Sequence, residues 1–212
     1  MNDQYIDMFL PPPLGVTQFP GDINYIQKIC KELEFQRNSC NSITVDNYLL
    51  NKPELINLKT YISEFVHRYT RTVFHSNQEI DITQSWVNIT DSGEEHPKHQ
   101  HPNSYLSGVV FVKSFNDSPP LLVENYLRPQ YSFVDLYDGG RLDNSDIPPN
   151  KYISTNSPIY PVMPVQGNIV LFSSPTPHMV PKNNSKEERI TLAFNTYPKR
   201  PFGSEKDVTY VT

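Results

Sequence analysis

Near residue 80 the apolar period of the chain changes, and that change limits the fold more than any other feature. Before it, hydrophobic residues recur at helical spacing; after it, they alternate. Ile23, Ile26, Ile29, Cys30 and Leu33 predict a helix over about 23–37, with Asp22 as its cap. Leu55, Leu58, Ile62, Phe65, Val66, Tyr69 and Val73 form one stripe, predicting a second helix from Pro53 to about His75. That stripe is expected to pack against a sheet, which leaves His67 and His75 as ordinary helix residues. Ser42–Leu49 reads as a short strand and turn, and the Pro-broken run Met8–Leu14 as an extended arm or edge strand.

Beyond residue 80, strands are predicted at Ile82–Ile89, Leu106–Val112, Leu121–Tyr126, Gly167–Phe172 and Arg189–Tyr197. Between 127 and 160 the pattern weakens. Short strands near Tyr131–Leu136 and Lys151–Thr155 are expected there, joined by connections that could form a lid or a solvated insertion. Helices followed by many short strands imply an α+β fold, a jelly-roll or β-barrel flanked by helices. The expected organisation is one domain over 1–212, with an arm and helices over 1–80 and a β core over 81–200.

Composition narrows the function classes. A net charge of −5 without a basic block argues against generic nucleic-acid binding. Cys30 and Cys40 are the only cysteines, too few for a disulfide framework. The first residues lack a basic n-region, and no run approaches the ~18 apolar residues of a spanning helix. The expectation is a cytoplasmic protein with no membrane partner.

Three of the six histidines fall between positions 96 and 101. In an extended strand His99 and His101 would share a face and present two imidazoles to one ion. Alone, such a pair serves equally well as two surface or core histidines. A second stretch adds weight: Gly167 opens an apolar strand, a Pro-rich turn follows, and His178 comes just after it. Eleven residues beyond His178 stands Arg189-Ile190-Thr191, whose Arg and Thr point to one strand face.

Taken together, Trp86-Val87-Asn88, His99-Gln100-His101-Pro102-Asn103-Ser104-Tyr105-Leu106-Ser107-Gly108-Val109, Gly167–Ser174, His178 and Glu188–Asn195 resemble the 2-oxoglutarate/Fe(II)-dependent oxygenase superfamily. The likeness spans about residues 82–197 and is nearest to a small group of such oxygenases from marine bacteria and phages; for a phage-encoded chain the cytoplasm is the host's. The resemblance implies a double-stranded β-helix of cupin-like, jelly-roll form. It implies a dioxygenase that uses Fe(II), 2-oxoglutarate and O2 to hydroxylate a substrate, either a small molecule or a protein side chain. By position, His99 and His178 become iron ligands and Arg189 pairs with the distal carboxylate of 2-oxoglutarate, with the Thr191 hydroxyl beside it. Asn88 and Ser107 lie on strands that line the cosubstrate pocket.

The superfamily's first motif usually reads His-x-Asp or His-x-Glu, whereas this chain has His101 at the third position. Three neutral imidazoles leave the site one negative charge short. His101 is kept as the third ligand, with Glu94 or Glu95 as the alternative. Two rival readings stay open at this point. One is a cupin-type metalloenzyme that does not use 2-oxoglutarate; it matches Gly93, His99 and His101 but lacks the expected Glu at Tyr105 or Leu106. The other is a non-catalytic jelly-roll stapled by a metal.

Overall fold

The computed structural model describes residues 13–124 and 159–201. Among these, β1 (Gly15–Gln18) leads into helix α1 (Ile23–Lys31) and the hairpin β2 (Phe35–Arg37) and β3 (Ser42–Thr44). Two single turns of 3-10 helix, Leu49–Asn51 and Pro53–Leu55, precede helix α2 (Ile56–Phe74). Then follow β4 (Ile80–Thr90), β5 (His96–His99), β6 (Leu106–Lys113), β7 (Leu121–Glu124), β8 (Ile159–Val162), β9 (Asn168–Ser173), β10 (His178–Val180) and β11 (Arg189–Pro198).

The Asp22 side chain caps α1 as predicted, accepting the N–H groups of Asn24 at 2.9 Å and Tyr25 at 3.2 Å. The helix stops at Lys31 instead of running to 37. Phe35–Arg37 spend their backbone groups on Ser42–Thr44, a pairing that extends the sheet edge and ends the helix early. Helix α2 runs close to its predicted bounds and closes on His75 in the left-handed region, at φ 51°. The strand predicted at Leu121–Tyr126 is described to Glu124. Most of the Met8–Leu14 arm, the strands expected at Tyr131–Leu136 and Lys151–Thr155, and the lid or insertion expected up to residue 158 lie outside the described residues.

Two antiparallel sheets make the double-stranded β-helix that the sequence predicted. The larger has the order β1-β9-β6-β11-β4-β3-β2, the smaller β5-β10-β7-β8. Both helices cover the outer face of the larger sheet. There Ile26, Leu58, Ile62 and Val66 meet Val87, Val110, Leu171, Leu192 and Phe194, nearly all sealed from solvent. Burying each such side chain contributes roughly 1.5–3 kcal/mol. Gly108 lets Phe194 lie flat on β6, because a Cβ there would stand 2.1 Å from the ring. A second apolar cluster, built on Phe111, Val123, Val162, Phe172 and Val180, holds the two sheets together. The strands of the larger sheet are thus buried on both faces, and their alternate residues serve different ends. Among the described residues no helix is long and apolar enough to cross a membrane.

Candidate metal centre

Strand pairing brings the predicted histidines together. β10 pairs with β5 so that His178 lies directly opposite His99. Their ring centroids are 4.2 Å apart. His101 sits just past the end of β5, held by its N–H to the Ser174 carbonyl at 3.2 Å. Its Nε2 faces that of His178 at 3.2 Å. One potential ligand atom from each of the three histidines lies within 4.8 Å of the other two, a group that can hold a metal ion.

The chain orients two of these rings locally. His99 Nδ1 lies 2.9 Å from the Pro97 carbonyl, and His178 Nδ1 lies 2.9 Å from the Thr176 carbonyl. A carbonyl oxygen only accepts, so in each ring Nδ1 carries the proton and Nε2 keeps its lone pair. Partners of this kind fix the tautomer of metal-binding histidines. Electrostatics point the same way. Burial, and then the neighbouring imidazoles, push His101 down to about 4. Burial and His99 push His178 down to about 3, and burial also lowers His99. All three are neutral near pH 7, the form that ligates metal.

No carboxylate joins this group among the described residues. Glu94 is occupied elsewhere: it forms an ion pair with Arg37, and its Oε2 accepts the Asp91 N–H at 2.8 Å. Glu95 is exposed in the β4–β5 connection. Neither cysteine joins the group, and both are free thiols.

Behind the histidines lies a cavity with about 430 Å3 of empty space, open mouth included. Its floor is the inner face of β4 and β11, where cross-strand neighbours stand in order: Thr90 with Arg189, Asn88 with Thr191, Trp86 with Ala193. Val109, Leu121 and Val180 supply apolar walls. Arg189 is only 3% exposed, so it is no surface cation. The acids beside it have other partners, with Glu188 on Lys31 at 2.8 Å and Glu187 on Lys113 at 3.8 Å. Burial lowers the Arg189 guanidinium to about 10, which leaves it cationic near pH 7. It lies over the Phe111 ring at 5.5 Å, but its buried Nε and Nη2 have no hydrogen-bond partner. A buried charge without a partner costs several kcal/mol. The fork fits a carboxylate, which would satisfy two N–H groups at once.

The remaining predicted residues divide. Thr191 and Asn88 line the cavity, with Asn88 Oδ1 accepting from the Asn41 amide at 3.3 Å. Ser107 is not part of the lining; its hydroxyl donates to Asn195 Oδ1 at 2.8 Å and meets Ser174 Oγ at 2.8 Å, tying β6 to β11 and to the turn after β9. The structure adds two residues that sequence reasoning did not single out as site residues. Trp86 faces His101 across 5.8 Å, and His96 stacks on His99. For Trp86 a signal was present, since it shares strand parity with Asn88 and Thr90.

The sequence matches the model of a family described as "Putative 2OG-Fe(II) oxygenase" over residues 84–195, just over half of the chain. This chain belongs to the 2OG-Fe(II) oxygenase family. Membership makes it an oxidoreductase that uses Fe(II), 2-oxoglutarate and O2. The match begins within β4, ends within β11 and contains every residue of the cavity described above. Solved structures share the oxygenase's fold at low identity. An oxidoreductase of the 2OG-Fe(II) oxygenase family from Burkholderia pseudomallei aligns with TM-score 0.56 and 16% identity, over 86% of this chain and 84% of that one. A prolyl-4-hydroxylase from Pseudomonas putida gives TM-score 0.54 and 11% identity, over 89% and 94%. HygX from Streptomyces hygroscopicus, solved with nickel and 2-oxoglutarate bound, gives 0.58 and 10%, over 90% and 84%. No curated protein matches the oxygenase by sequence.

Proposed function

We propose that this oxygenase is a hydroxylase in which His99, His101 and His178 hold Fe(II), while Arg189 and Thr191 receive the distal carboxylate of 2-oxoglutarate. The observation that carries the reading is Arg189: a buried cation, with two unsatisfied nitrogens, on the wall of the cavity that the three imidazoles close. A structural metal site would have no use for it. A cupin enzyme without 2-oxoglutarate would likewise leave its charge unanswered.

Bound Fe(II) and 2-oxoglutarate supply the oxidising power, drawn from O2, that inserts oxygen into a substrate C–H bond. The chain's own part is binding, orientation and exclusion of water. The Pro97 and Thr176 carbonyls aim two imidazoles before an ion arrives. Val109, Leu121 and Val180 keep the inner compartment apolar, which strengthens the Arg189–carboxylate attraction. Three neutral imidazoles add no charge of their own, so only the 2-oxoglutarate carboxylate not taken by Arg189 would offset the charge of the ion.

The HygX structure that aligns with this fold is also known with hygromycin B bound, and another aligned structure is a prolyl hydroxylase with a peptide. A small molecule or a protein side chain is accordingly the substrate class proposed here, and nucleic acid is not. The free thiols Cys30 and Cys40 support a cytoplasmic location.

The test is anaerobic titration of the Fe(II)-loaded protein with 2-oxoglutarate, following the visible charge-transfer band of the chelate. A saturable band is expected, and His178→Ala should bind no stoichiometric Fe(II). One equivalent of metal with no band would leave only a metal site. Undiminished Fe(II) affinity in His178→Ala would overturn the ligand set.

A further inference from the structure

Strand β5 carries one histidine more than the ligand group uses. Across the β5–β10 pair, His99 lies opposite His178 and His96 opposite Val180. Three steps on β5 therefore span two on β10, which is a β-bulge around Pro97-Lys98. A bulge inserts one residue and re-aims the side chains beside it. In a regular strand, residues three apart point to opposite faces. Here His96 and His99 share a face, with ring centroids 4.3 Å apart and planes inclined by 21°. His96 becomes a wall of the cavity as a result.

The ring lies outside the three-histidine group yet within electrostatic reach of Arg189. It is half-buried, and no hydrogen bond engages it among the described residues. A cavity-facing polar group without a hydrogen-bond partner, stacked on one imidazole and lining the same cavity as a buried guanidinium, is placed to meet a ligand that spans both.

We propose that His96 binds 2-oxoglutarate, its ring N–H donating to the distal carboxylate that Arg189 and Thr191 also receive. This rests on the reading of the cavity given above. A carboxylate offers about four lone-pair sites, so a guanidinium and a hydroxyl leave room for a further donor. The flat face of His96 meanwhile packs on the ring of His99.

The experiment uses the full chain loaded with Fe(II), with 2-oxoglutarate titrated anaerobically and Fe(II) binding measured alongside. His96→Phe keeps the stack and removes the donor. Its dissociation constant for 2-oxoglutarate should rise about tenfold, with Fe(II) affinity held within about twofold. His96→Leu carries the same expectation if the Phe variant does not fold. His96→Gln, which restores an N–H, should recover part of the loss. Unchanged 2-oxoglutarate affinity in the Phe or Leu variant overturns the proposal. So does loss of Fe(II) binding in these variants, which would make His96 part of the metal site. Wild-type protein that binds Fe(II) but no 2-oxoglutarate would sink the underlying reading as well; wild-type binding with an indifferent Phe variant sinks only the role of His96.

Discussion

The two faces of the seven-stranded sheet are made of the same strands and are both buried, yet they are chemically opposite. On β11, Ile190, Leu192 and Phe194 point to the helices, while Arg189, Thr191 and Ala193 point into the cavity. On β4 the split is Val87 and Ile89 against Trp86, Asn88 and Thr90. The helix-covered face is close-packed and aliphatic, the kind of surface that provides stability. The cavity face carries polar groups that a fold built for stability alone would avoid. One strand thus spends alternate residues on stability and on function, and the difference is drawn at single-residue resolution.

The sharpest break in that comparison is Phe194→Ala. It removes a fully buried ring from the helix face and should cost about 3–5 kcal/mol in a urea titration. What folded protein remains should still bind Fe(II), because the ring does not touch the cavity. A loss of metal binding without a loss of stability would show that the faces are not separable. Next in size is Arg189→Leu on the other face. Affinity for 2-oxoglutarate should fall by about a hundredfold, some 3 kcal/mol. The metal-free protein should be at least as stable as wild type, since an unpaired buried cation has been replaced by an apolar side chain. A large destabilisation would mean that Arg189 has a structural partner.

Smallest per ring and per pH unit is the response to acid. His178 and His101 hold their protons only below about 3 and about 4 in the folded chain, against an ordinary value of 6.5. An unfolded chain takes up these protons as the pH falls through 6.5; the folded metal-free protein does not. Stability is therefore full above that value and declines as pH drops toward 4, by at most about 1.4 kcal/mol per unit for each ring. Replacing His178 with Phe should flatten that decline, as followed by thermal melts across the window. An unchanged slope would place the responsible groups elsewhere.

Much of this was legible in the sequence because the relevant signals are local. Parity along Arg189–Thr191 separates the two faces of β11, and the stripe from Leu55 to Val73 gives the long helix and its buried side. Asp22 marks the start of α1, but its end was not readable, because the helix yields to a hairpin whose strands bind each other and not the helix. His96 was hidden for a different reason. Its face depends on a bulge, and a bulge is a property of two paired strands, invisible in either one. The same holds for Ser107, whose hydroxyl was recruited by Asn195 on another strand and by Ser174 in the turn after β9. Pairwise register thus decided what single-strand periodicity could not.

One small device occurs twice. In Pro97-Lys98-His99 and again in Thr176-Pro177-His178, the imidazole is tethered to the carbonyl two residues earlier. Each imidazole carries its own aiming mechanism within three consecutive residues, and the antiparallel pairing of His99 with His178 sets the two copies face to face, like mirrored halves of a clasp. Such a unit asks nothing of the rest of the barrel except two neighbouring strands running in opposite directions. It is portable: grafted as two tripeptides onto an unrelated antiparallel pair, it would bring its tautomers and its aim along with it.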